Sequence, residues 1–101
     1  MIFSQKECRL LRLCLNAYLD EPELHTNFGG NVITTAIEKL ENINELTQFS
    51  RKEVAAMCVA LDLVAENYEN GTLETLTGFS NTLPSGVYPL SQKLNNLYDA
   101  L

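Results

Sequence analysis

Apolar residues recur along the chain at helical spacing, in four stretches that alternate between a wide apolar face and a narrow one. On a helical wheel turning about 100° per residue, the first stretch gathers Gln5, Arg9, Arg12, Asn16 and Asp20 into one narrow polar arc. Leu10, Leu11, Leu13, Cys14, Leu15, Ala17, Tyr18 and Leu19 cover most of the remaining circumference. The third stretch, read from Arg51, repeats this habit: Arg51, Asp62, Glu66 and Glu69 share a face, and Met57, Cys58, Val59, Leu61, Leu63, Val64, Ala65 and Tyr68 fill the rest. Both helices are expected to be buried over more than half their girth. The second stretch, capped by Asn31 and running to about Gln48, carries only the stripe Ile33, Ile37, Leu40, Ile43 and Leu46 or Thr47, and the fourth carries Leu90, Leu94, Leu97 and Leu101. These are surface helices by pattern.

The two wide helices open alike, with Phe3-Ser4-Gln5-Lys6-Glu7 returning as Phe49-Ser50-Arg51-Lys52-Glu53. In each copy the Ser is placed to accept a hydrogen bond from the backbone N–H three residues on, and the Glu there to accept one from the Ser N–H. The preceding Phe forms a hydrophobic staple toward Cys8 in one copy and Val54 in the other. The narrow helices also echo each other, Glu38-Lys39-Leu40-Glu41-Asn42-Ile43 resembling Gln92-Lys93-Leu94-Asn95-Asn96-Leu97. This pattern predicts an all-α, four-helix antiparallel bundle built from two pseudo-repeated helical hairpins, about 3–48 and 49–101, in one domain. Two units are too few for an open solenoid, and the Trp, Gly, Tyr and Pro pattern of tetratricopeptide repeats is missing.

The breaks fall where turn chemistry puts them. Asp20-Glu21-Pro22 ends the first helix and residues 23–30 form a loop; Asn70-Gly71 ends the third with a left-handed cap. Residues 72–77 are expected to form a further helical turn, and residues 78–89, with Pro84, Gly86 and Pro89, a long irregular connection before the last helix.

Composition narrows the class. With 46% hydrophobic and 20% charged residues, the 101-residue chain has enough apolar content for a core. No uninterrupted apolar run of about 18 residues is present, so no membrane span is expected, and Lys6, Arg9 and Arg12 within the first apolar stretch argue against a cleaved signal peptide. A cytoplasmic location follows as the expectation. The three cysteines, Cys8, Cys14 and Cys58, are odd in number and unpaired in spacing, and are read as buried, reduced thiols. The net charge is −6, and positions 53–92 hold no Lys or Arg. Neither direct nucleic-acid binding nor attachment to an anionic membrane suits that balance.

Candidate chemistry is sparse. His25, the only histidine, follows Asp20, Glu21 and Glu23, but the spacing matches neither a calcium loop nor a paired-His zinc helix, and a solvated acidic turn is the simpler reading. Phe28-Gly29-Gly30-Asn31 lacks the spacing and lysine of a phosphate loop and reads as a hinge. No catalytic, metal or cofactor residues are therefore assigned, and no cofactor is expected.

Asp62, Glu66 and Glu69 stand as one acidic face, either merely solvated or a docking surface for a basic partner. The function these features favour is a non-catalytic protein-protein interaction or regulatory domain. One alternative is an acidic inhibitor mimicking nucleic-acid charge on a basic protein site, and a second is a small hydrolase or metal-dependent enzyme built on Asp20, Glu23 and His25. The surplus apolar girth of the wide helices further predicts a homodimer through Leu10, Leu13 and Ala17, or through Ala56, Val59 and Leu63.

Overall fold

The computed structural model describes residues 2–25 and 29–101. Four α-helices carry the fold: α1 Gln5–Leu19, α2 Gly30–Glu41, α3 Arg51–Glu69 and α4 Val87–Ala100, with 3-10 turns at Pro22–Leu24 and Leu73–Thr75. Among the described residues there is no strand, and the helices close into a four-helix bundle.

Both wide helices start as their sequences dictate. Ser4 and Ser50 hold nearly identical extended backbones, φ/ψ of −71/166° and −71/162°. Each accepts a bond at its Oγ from the N–H three residues on (3.1 Å in both), and each donates its own N–H to the Glu side chain there, at 2.8 Å for Glu7 and 2.6 Å for Glu53. The preceding phenylalanines are buried and meet each other edge-on, with ring centres 5.7 Å apart. Such a contact contributes about 0.5–1.5 kcal/mol beyond the area it buries.

Each capping glutamate also receives a lysine from the narrow helix of the opposite half. Lys93 of α4 lies 3.0 Å from Glu7 Oε1 and 5.4 Å from the centre of the Phe3 ring. Lys39 of α2 lies 2.8 Å from Glu53 Oε1 and 5.9 Å from the centre of the Phe49 ring. Capping serine, glutamate, staple ring and crossing lysine thus form the same group of four twice. The second copy is the drier, because Glu53 is buried whereas Glu7 is only half-buried.

The expectation of surplus apolar girth is answered inside the chain. Helix α3 packs against α1, α2 and α4, which cover Val54, Met57, Ala60, Leu61 and Val64 completely. The connection after α3 joins the same core: Leu73 and Leu76 are buried in it, and Phe79 and Leu83 pack partly against it. Gly78 passes so close that a Cβ there would lie 2.9 Å from Leu13 Cδ1. Leu10, Ala17 and Ala56 are buried within the chain's own fold, Ala56 with no exposed surface at all, so they offer little surface to a second copy. Leu13 and Leu63 are half-buried, and of the six residues expected at a dimer contact only Val59 is exposed.

Three boundaries differ from the pattern. Helix α2 begins at Gly30 behind Gly29, without a side-chain cap from Asn31, and ends at Glu41 rather than near Gln48. Asn42 Nδ2 donates to the Glu38 carbonyl, Asn44 Oδ1 accepts from the Leu46 N–H, and Thr47 Oγ1 accepts from the Asn44 N–H. These local bonds satisfy backbone groups that a continuing helix would have used, and they leave Leu46 89% exposed. At the other end of the chain α4 starts at Val87, three residues earlier than Leu90, and takes Pro89 into its first turn. There the missing proline N–H has no helical carbonyl to serve. The expected turn over 72–77 is the shorter Leu73–Thr75. Helix α3 ends as predicted: Gly71 adopts φ 73°, its N–H bonds the Tyr68 carbonyl, and the Thr72 N–H bonds that of Asn67. Of the loop expected at 23–30, residues 26–28 lie outside the described residues, and with them Phe28 of the glycine motif.

Candidate functional site

The acidic face lies on the outer side of α3, where the helical repeat brings Asp62, Glu66 and Glu69 into one line and α4 runs alongside. All three carboxylates are exposed, and none of them has a cation within ion-pair distance; the ion pairs among the described residues are Lys39–Glu53 and Lys93–Glu7. Arg51, which shares their face by pattern, instead lays its guanidinium over the Tyr98 ring at 4.4 Å. Burial and then the Glu66 charge push the Asp62 carboxyl above its ordinary value. Asp99 of α4 reaches the same neighbourhood, since burial, Asp62 and Asp99 together push the Cys58 thiol up.

Aromatic surface borders these charges. Tyr68 is 44% exposed and Tyr88, at the start of α4, is 51% exposed. The Tyr88 hydroxyl donates to Glu69 Oε1 at 3.3 Å, and Val59 is exposed one turn before Asp62. Carboxylates without counter-ions beside part-exposed tyrosines make a surface that can receive a basic, partly apolar partner.

The loop group around His25 has a different occupation. The His25 Nε2–H donates to the Tyr18 carbonyl at 2.7 Å, its ring stands edge-on to Tyr18 at 4.9 Å, and the Tyr18 hydroxyl donates to the Leu24 carbonyl. The histidine thus completes the end of α1. Asp20 and Glu23 stay exposed, Glu21 is raised by its contact with Glu23, and no group of three metal-ligating side chains occurs among the described residues. Of the cysteines, Cys8 and Cys14 are buried, as their pattern predicts, while Cys58 is only half-buried because it lies beside the acidic face rather than in the core.

A second feature was not assembled by sequence pattern. Between the start of α1 and the end of α2 lies a cleft of about 350 Å³, lined by Gln5, Cys8, Arg9 and Arg12 and, across from them, by Leu40, Glu41 and Ile43. One signal for it is visible in the chain: neither Arg9 nor Arg12 has an Asp or Glu three or four positions away on its helix. The facing residues came into view only with the pairing of α1 and α2.

Comparison of the chain with known protein families, with characterised proteins and with solved structures finds no match. Function is therefore argued from these surfaces alone. Among the described residues, no helix is long and apolar enough to cross a membrane.

Proposed function

We propose that the chain is a non-catalytic protein-protein interaction domain that docks a basic partner on the outer face of α3. The observation that carries this reading is the line of Asp62, Glu66 and Glu69, each without a cation, beside the part-exposed Tyr68 and Tyr88. Like charges three and four residues apart cost a helix roughly 0.2–0.5 kcal/mol per pair, and among the described residues no cation offsets that cost, the Tyr88 hydroxyl on Glu69 being a neutral donor. A partner surface of opposite sign would offset it and would speed encounter in a salt-dependent way. Tyrosine at the margin suits the rest of such an interface.

Affinity capture from the native cell extract, run with the natural chain and with a variant carrying Asp62→Asn, Glu66→Gln and Glu69→Gln, tests this. A protein retained by the first and lost by the second, with retention falling as salt rises, is the expected outcome. Identical captures by both refute the reading. Capture of an enzyme whose nucleic-acid site becomes blocked would turn it into the charge-mimicking inhibitor.

We also infer that the halves about 3–48 and 49–101 are copies of one helical hairpin. The twice-built group of serine, glutamate, phenylalanine and lysine supports this, because each lysine is exchanged between halves and the two phenylalanines meet each other. In this register Arg9 and Arg12 correspond to Ala55 and Cys58, so the copies have diverged in charge.

A further inference from the structure

The cleft between α1 and α2 carries charge opposite to the α3 face. Arg9 and Arg12 form no ion pair among the described residues, and the Arg12 Nε is buried without a hydrogen-bond partner. A buried guanidinium nitrogen without an acceptor is costly, and guanidinium is the side chain best shaped for a carboxylate. The other cations are differently placed: Lys39 and Lys93 are paired, Arg51 stacks on Tyr98, and Lys6 and Lys52 lie outside the cleft's lining.

We infer that this cleft binds a small monocarboxylate with a short apolar body. Its polar wall holds two guanidiniums and the Gln5 amide, and Glu41 on the opposite side removes one positive charge. The remaining balance of one positive charge suits a single carboxylate better than a doubly charged phosphate. Cys8, Leu40 and Ile43 supply apolar surface against which a short hydrocarbon body can lie. The volume falls in the range of small-molecule sites, roughly 300–1,000 Å³.

Octanoate is a suitable probe, with octanol as its uncharged counterpart, each titrated into the full chain and followed by NMR. Octanoate is expected to shift the Arg12 Nε–H signal and the amides of residues 5–12 and 40–43. Octanol is expected to bind about ten- to a hundredfold more weakly, the factor that a charge-assisted hydrogen bond carries. Arg12→Gln should weaken octanoate by a similar factor. If that variant does not fold, the exposed Arg9→Gln serves in its place, with a severalfold loss expected. Glu41→Gln should tighten binding. Equal binding of octanoate and octanol, shifts confined to other surfaces, or no response at Arg12 would overturn the inference. Binding seen only in Glu41→Gln would also overturn it, since the native cleft would then be closed by its own carboxylate.

Discussion

The two helix-start groups make an internal control for how much a buried charge adds to a cap, and Glu53→Ala set against Glu7→Ala reads it directly. Both substitutions remove the acceptor for a serine N–H, a loss of about 1 kcal/mol. Beyond that they differ in burial. The Glu7 and Lys93 side chains are 28% and 42% exposed, so this pair adds at most ~1 kcal/mol. The Glu53 side chain is 5% exposed, and removing one partner of a fully buried pair costs about 3–5 kcal/mol. That figure must be reduced here, because Lys39 is 36% exposed and also donates to the Gln48 carbonyl at 2.9 Å. Glu53 Oε2, buried without a partner, lowers the net worth of the pair further. The sums come to about 2–3 kcal/mol for Glu53→Ala and about 1–2 kcal/mol for Glu7→Ala. Urea unfolding at an m-value of ~2 kcal/mol per molar should separate the midpoints of the two variants by roughly half a molar. A Glu53→Ala midpoint at or above that of Glu7→Ala would refute the assignment of the difference to burial. Lys39→Met completes a double-mutant cycle, in which a coupling with Glu53 of about 1 kcal/mol is expected.

Acid should destabilise the fold through the same two residues. Burial pushes both carboxyls up, but their lysine and serine partners outweigh it and hold both below the ordinary glutamate value of 4.5. The stability they confer is present above that value and is lost as pH falls through their lower folded values, while Asp62, which is raised, works the other way; thermal melts from pH 6 to pH 3 report the balance, and replacing both glutamates by Gln should flatten the fall. Thiol labelling of the native protein should reach Cys58 first and slowly, leave Cys8 protected, and leave Cys14, pushed up to about 12, unreacted until unfolding. Gly78→Ala should cost about 1–2 kcal/mol, more than Gly71→Ala, because it adds a contact with Leu13 to the strain of a positive φ. Denaturant melts compare them, and Leu13→Ala in the Gly78→Ala background should recover part of the difference.

What the chain discloses by itself follows the range of the forces involved. The starts of α1 and α3 are written within five residues, because serine, glutamate and phenylalanine act on their own backbone and nearest turn. The end of α3 is equally local, resting on Gly71. The end of α2 is not, since the apolar stripe runs on through Ile43 and Leu46 while Asn42, Asn44 and Thr47 withdraw the backbone into side-chain bonds. Periodicity registers the stripe and misses that competition. Pro89 misled in the opposite sense, because a proline reads as a break unless its place in the first turn is known. The acidic line on α3 is legible from helical spacing alone. That its charges have no counter-ions, and that Arg51 turns to Tyr98, depends on α4. The arginine cleft depends on which part of α2 meets α1, and a single-helix wheel holds no such information.

The exchange of lysines has a consequence for how the molecule comes apart. Neither hairpin holds the cation that completes its own helix start, since Lys93 serves the first half and Lys39 the second. One half folded alone would expose Phe3 or Phe49 and leave its capping glutamate without its lysine, which disfavours partial unfolding by hairpins. The same reciprocity protects against chain scission. A protease that cuts the turn at 44–47, where Leu46 stands exposed, would leave two fragments that each retain what the other lacks, and the nicked bundle would persist as a non-covalent pair.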